Sequence, residues 1–140
     1  DPLSVIVPAR HPLLAHAEVR LDDALKFPVV LCHPEAHSGC HHQIQAVLEG
    51  ATVPPRVVEH ATSLGVMLTL VGAGYGIGFA VASQVQPLQR PDIVIRPLAG
   101  VPPPLSTYLL RRRGEPSAPM KRFMRRMRDE GAPGHEEADA

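Results

Sequence analysis

Residues 32–42, Cys-His-Pro-Glu-Ala-His-Ser-Gly-Cys-His-His, hold both cysteines and four of the eight histidines of this 140-residue sequence. An apolar run ending at Cys32 precedes them and reads as a strand. Ile44, Val47 and Leu48 follow at helical spacing, with Gly50 as a stop. Ligands of alternating α/β chains sit beyond the carboxyl ends of strands, where the next helix begins. Free backbone N–H groups of Gly39, Cys40 and His41, with the Ser38 hydroxyl, are suited to hold a carboxylate there. His37 would add a charge and make binding depend on pH. The same residues admit two other readings. Ser38 can be an ordinary helix cap among solvated histidines. Alternatively His33, His37, Cys40 and His41, with Cys32 and His42 nearby, are donor types for zinc, copper or nickel, although their spacing matches no closed structural site.

Enzymatic chemistry finds little support. Serine, histidine and carboxylates all occur, but there is no Gly-x-Ser-x-Gly elbow, and nothing near Cys40 marks an oxyanion hole. No residue is assigned a catalytic role, and no cofactor is expected. Val-Gly-Ala-Gly-Tyr-Gly-Ile-Gly-Phe-Ala (71–80) superficially resembles a nucleotide loop. Such a loop needs the order strand, glycine turn, helix, so that the helix start faces the phosphates. Here an apolar helical segment precedes the glycines and a strand follows them. Gly74 and Gly76 therefore read as a helix C-cap and a tight turn, where glycine accepts positive φ. Thr62 stands at a helix start and is a further binding candidate, though residues there are more often caps. Phe79 is kept as a candidate ligand platform, although an aromatic residue on a strand is usually core.

The elements that must position these residues follow from apolar runs and their punctuation. Strands are expected at 3–8, 27–32, 56–60, 77–81, 92–98 and 105–111. A single helical turn is expected at 21–25, and a helix at 39–49. Thr62 or Ser63 can cap another helix that shows Leu64, Met67, Leu68 and Val71 on one face and ends at Gly74. Ser117 opens a last helix with a stripe of Met120, Phe123, Met124 and Met127. Arg122, Arg125, Arg126 and Arg128 flank that stripe and read as a solvated face more than as a nucleic-acid contact. The polar tail from 129 is expected to be disordered. Alternating strands and helices imply an α/β fold with a mainly parallel sheet.

Composition bounds the rest. The length suits one domain with a real core, and the formal net charge is zero, which removes bulk attraction to nucleic acid or membrane. No apolar run approaches the ~18 residues needed to span a bilayer. Two cysteines are too few for a disulfide framework. The sixteen prolines punctuate elements without forming a low-complexity tract. The sequence starts at Asp1 and reads as a piece of a longer, soluble, cytoplasmic protein with free thiols.

Four features in this order resemble the effector-binding region of LysR-type transcriptional regulators. They are strand 3–8 running into Pro-Ala-Arg-His-Pro-Leu; Leu-Asp-Asp-Ala-Leu-Lys-Phe-Pro-Val-Val (21–30); Leu-Thr-Leu-Val-Gly-Ala-Gly-Tyr-Gly-Ile-Gly-Phe-Ala (68–80); and Thr-Tyr-Leu-Leu-Arg-Arg (107–112) before an amphipathic helix. The resemblance covers about 1–128. One departure is Val81, where the family usually has proline.

The resemblance implies part of a type 2 periplasmic-binding-protein-like fold. Residues 8–104 would be its second subdomain, and 105–128 a strand and helix returning to the first. It further implies a small-molecule effector, plausibly an organic or aromatic acid, in a cleft between subdomains. His37, Ser38, Gly39, Cys40, His41, Thr62 and Phe79 are the candidate residues for that cleft. Partners would be other copies of the chain in a dimer or tetramer, and DNA only through an N-terminal helix-turn-helix outside this sequence; no membrane partner is implied. A transporter's solute-binding protein, which shares the fold, and a metal-sensing module on 32–42 are the alternatives.

Overall fold

The computed structural model describes residues 2–100, 105, 106, 110 and 113–130. The chain divides into two compact units, Asp1–Thr107 and Tyr108–Ala140. The first unit holds β1 (Leu3–Pro8), α1 (Leu21–Ala24), β2 (Pro28–Cys32), α2 (Ser38–Leu48), β3 (Arg56–Ala61), α3 (Leu64–Gly72), β4 (Ile77–Val81), α4 (Ala82–Val85) and β5 (Ile93–Pro97), with short 3₁₀ turns at Pro12–Ala15 and Gln86–Leu88.

One five-stranded sheet orders these as β3-β2-β4-β1-β5. β2 runs parallel to β3 and to β4, whereas β1 runs antiparallel to both β4 and β5. The sheet is therefore mixed, not mainly parallel as the alternation of elements suggested. Alternation determines how consecutive strands connect, but not which strand fills the gap between β4 and β5. Here β1 fills it, with Val5 opposite both Phe79 and Arg96. The central strands are apolar at consecutive positions because both of their faces are covered: Val29, Val30 and Ile77 are fully buried. β3 lies at the edge, and its Arg56, Val58, Glu59 and His60 are exposed. Charged residues on an outer strand discourage further pairing.

α3 packs Met67, Leu68 and Val71 into the core, each contributing about 1.5–3 kcal/mol by burial. Its start is capped by Ser63, whose Oγ accepts from the Val66 N–H at 3.2 Å. Its end is a Schellman turn. Gly74 has φ of 82°, its N–H donates to the Val71 carbonyl, and the Tyr75 N–H donates to that of Leu70. Gly76 is needed for a different reason: a Cβ there would stand 2.5 Å from the Pro28 carbonyl oxygen, where the turn passes over β2. Beyond β4, Val81 leads directly into the single-turn α4, so the chain without proline leaves the strand by a helical turn. Between α2 and β3, the Thr52 N–H donates to Asp22 Oδ1 at 2.8 Å and ties that connection to α1.

In the second unit α5 spans Ala118–Glu130, past Arg128, where the tail was expected to begin. Ser117 caps it as expected, its Oγ accepting from the Met120 N–H at 3.4 Å. Phe123 and Met127 on its apolar stripe are exposed, as are Arg122, Arg125 and Arg126. The strand expected at 105–111 falls mostly outside the described residues, as does the chain from 131 onward.

Candidate functional site

Strand directions gather one edge of the sheet. The carboxyl ends of β2, β3, β4 and β5 lie there, with the amino end of β1 between them. The stretch 33–37 leaves β2 at this edge, and α2 begins from it. The His33 N–H donates to the Ala61 carbonyl at 2.8 Å and extends the β2–β3 ladder past Cys32. Its Nδ1 accepts from the N–H groups of Glu35 and Ala36 at 3.3 and 3.4 Å, which closes a turn. The His37 N–H then donates back to the His33 carbonyl.

Two histidines clamp the helix start to the sheet. His37 Nε2 lies 2.9 Å from the Thr62 carbonyl, and His41 Nδ1 lies 2.9 Å from the Cys32 carbonyl. A carbonyl only accepts, so His37 carries its proton on Nε2 and His41 carries one on Nδ1. His33, accepting at Nδ1, holds its proton on Nε2.

The helix begins one residue earlier than expected, at Ser38, with His37 in the cap position and no side-chain cap bond. Two corrections follow. Ser38 is not the cap. Among the described residues the amides of Ser38, Gly39 and Cys40 meet no partner, whereas the His41 N–H is used by the His37 carbonyl at 2.8 Å. These three N–H groups are at the positive end of an eleven-residue helix. The Gly39 position is open, with no heavy atom within 4 Å of where a Cβ would stand.

Thr62 is exposed and adjoins the site through its carbonyl, while the cap of α3 is Ser63. Phe79 is elsewhere: it is 1% exposed, at the centre of β4 opposite Val5, and presents no surface at this edge. Its strand has both faces covered, which makes it core. Among the described residues no three His, Cys, Asp or Glu side chains, those of His33, His37, Cys40 and His41 included, are placed to share an ion.

Three participants were not visible in the sequence. His60 on β3 stands beside His33 and His41, with ring centroids 6.4 and 5.9 Å away. Register places it there, since His60 pairs with Leu31 one residue before Cys32. Gln43 of α2 grips the backbone of Ser106, accepting from its N–H at 2.7 Å and donating to its carbonyl at 3.1 Å. The third is a contact between the thiols. The neighbouring Cys32 thiol pulls the Cys40 thiol down to about 6, helped by nearby His37 and His41. The same contact, with burial, pushes Cys32 up. A depression of about 280 Å³ lined by Val85, Gln86, Gln89, Arg90 and Ile93–Ile95 lies at the opposite edge, where β5 begins, and contains none of these residues.

The family model of the LysR substrate binding domain matches residues 1–132. The Hca operon transcriptional activator HcaR of Escherichia coli K12 is 24% identical over 124 residues, covering 89% of this chain and 42% of its own length. The crystal structure of HinK, a LysR family regulator from Pseudomonas aeruginosa, superposes with a TM-score of 0.69 at 20% identity, over 92% of this chain and 44% of HinK. The effector-binding domain of QuiR in complex with shikimate superposes with a TM-score of 0.58 at 19% identity, over 69% of this chain and 44% of that one. At such identities the structures establish the fold, part of a type 2 periplasmic-binding-protein-like architecture. The chain spans less than half the length of HcaR. With the family model matching nearly its whole length, the chain belongs to the LysR substrate-binding domain family.

Proposed function

We propose that this chain is the effector-sensing part of a cytoplasmic LysR-type transcription regulator, and that it takes a small carboxylic acid at the start of α2. The observation that carries this reading is the trio of N–H groups of Ser38, Gly39 and Cys40 at the carboxyl edge of the sheet, which meet no partner among the described residues. A carboxylate there would accept from those amides and from the Ser38 hydroxyl, and would lie at the positive end of the helix dipole. His37 and Thr62, joined by the 2.9 Å bond, would form the adjoining wall. QuiR was crystallised with shikimate, itself a carboxylic acid, which supports this ligand class by analogy of fold. The chain would act by binding, without chemistry. Residues 8–104 would supply one wall of the cleft, and a first subdomain the other. Ligand closure would change how copies of the regulator are arranged, and through them the position of DNA-binding helix-turn-helix heads.

A thermal-shift titration with shikimate, benzoate and other small acids tests this. Ligand at a hundred times its Kd adds ~2.7 kcal/mol, which raises the Tm of a domain this size by roughly 10 °C. The expected result is saturable stabilisation that Ser38→Ala weakens. Equal stabilisation of the Ser38→Ala variant would place the ligand elsewhere. Stabilisation by zinc, copper or nickel alone would favour the metal-sensing alternative.

A further inference from the structure

We infer that Gln43 is a positioning residue that fastens the chain leaving the first unit to the helix that begins at the effector site, so that the two move together. The functional half of this inference rests on the reading of the α2 start given above. Gln43 holds one distant residue by both of its main-chain groups. Its side-chain oxygen accepts from the Ser106 N–H at 2.7 Å, and its side-chain nitrogen donates to the Ser106 carbonyl at 3.1 Å, across 63 positions. A hydrogen-bonded pair in an antiparallel ladder makes the same double exchange, and here a single side chain makes it. The task selects a primary amide. An ionised carboxylate only accepts, and lysine and arginine only donate.

Both ends of this clamp are anchored. Gln43 is half-buried on α2, next to the buried Ile44, and the helix is seated on the sheet by Ile44, Val47 and Leu48. The bond from His41 Nδ1–H to the Cys32 carbonyl, at 2.9 Å, ties the same part of the helix to the end of β2. At the other end, Ser106 follows Leu105, which packs against the core, and precedes Thr107, the last residue of the first unit. Gln43 comes five residues after Ser38, about 7.5 Å along the helix axis. A carboxylate taken by the amides of Ser38, Gly39 and Cys40 therefore acts on the same short helix that carries the clamp. A shift of that helix is passed to Ser106 by two bonds of opposite polarity, and the chain cannot slide past without breaking one of them. The coupling is reciprocal, so whatever steadies Ser106 also steadies the start of α2.

Amide hydrogen exchange of the whole chain, followed by NMR, tests this at the Ser106 N–H. Gln43→Met keeps the length of the side chain and removes both polar groups. It should speed exchange at Ser106 by roughly tenfold, the loss of two modest hydrogen bonds, while the amides of Val5 and Phe79 in the central strands keep their rates. Ser38→Asp places a carboxylate at the helix start with no ligand added. It should slow exchange at Ser106 by roughly two- to fivefold through the helix dipole, and should have no such effect once Gln43→Met is also present. Should Gln43→Met fail to fold, Gln43→Ala serves in its place, being a good helix former. An unchanged Ser106 rate in Gln43→Met overturns the clamp. An unchanged rate in Ser38→Asp, or an equal response with and without Gln43, overturns the coupling. Because Ser38→Asp carries its own carboxylate, a failure of shikimate or benzoate to shift the Tm would sink the ligand reading and leave this result standing.

Discussion

Replacing Gly76 by alanine should destabilise the first unit more than the same change at Gly74, although Gly74 has the unusual backbone conformation. At position 76 the new Cβ would lie 2.5 Å from the Pro28 carbonyl oxygen and 3.0 Å from its carbon. Both atoms are backbone, so no side chain can swing clear, and the entry to β4 would have to lift away from β2. Overpacking of this kind costs about 1–3 kcal/mol, and a contact this short against main chain belongs near 3. At position 74 the cost is purely conformational. Its φ is 82° and no heavy atom lies within 4 Å of a Cβ. An L-residue in that region costs ~1–2 kcal/mol. Both variants regain ~0.4–1 kcal/mol from a stiffer unfolded chain. Gly76→Ala should therefore lose about 2–3 kcal/mol and Gly74→Ala between about 0 and 1.6 kcal/mol. Urea unfolding followed by circular dichroism measures both, with the slope m unchanged in each. Equal losses, or a larger loss at position 74, would refute the argument that close approach of the chain to Pro28, and not positive φ, makes the greater demand for glycine in this turn.

Two further predictions bear on the site edge and on pH. Gly39→Ala should raise stability by about 0.5–1 kcal/mol, because a helix prefers alanine and the added Cβ meets nothing within 4 Å; a fall in Tm would show that the start of α2 is not the open turn described. Asp22 is held below the usual carboxylate range, chiefly by the Thr52 N–H. Its folded value is the lower one, so its contribution is present above the unfolded value near ~3.9 and is lost as pH falls through the folded value. Asp22→Asn should thus narrow the difference in Tm between pH 6 and pH 3, and an unchanged difference would remove Asp22 from the acid response.

Much of the architecture was written locally. Val29–Cys32 and Ile77–Val81 are strands because nearly every position must be apolar when both faces are covered, and that leaves a continuous run in the sequence. Ser63 and Gly74 marked the ends of α3 because capping is a matter of a few neighbouring backbone groups. The chemistry of 32–42 stood out because its donors are contiguous in the chain.

Other features depended on residues far apart in sequence. No local rule says that β1 fills the gap between β4 and β5, so the mixed sheet was hidden until strands met. His60 comes beside His33 and His41 only through the β2–β3 register, and Gln43 meets Ser106 across 63 positions. The start of α2 at Ser38 lies where His37 meets the Thr62 carbonyl, 25 positions away, and His41 meets that of Cys32, contacts that no local pattern announces. The sequence by itself therefore determined which segments are strands and helices, through burial and capping that act over a few residues. Only the tertiary structure decided which amides and histidines come together, because that is a matter of strand order and register.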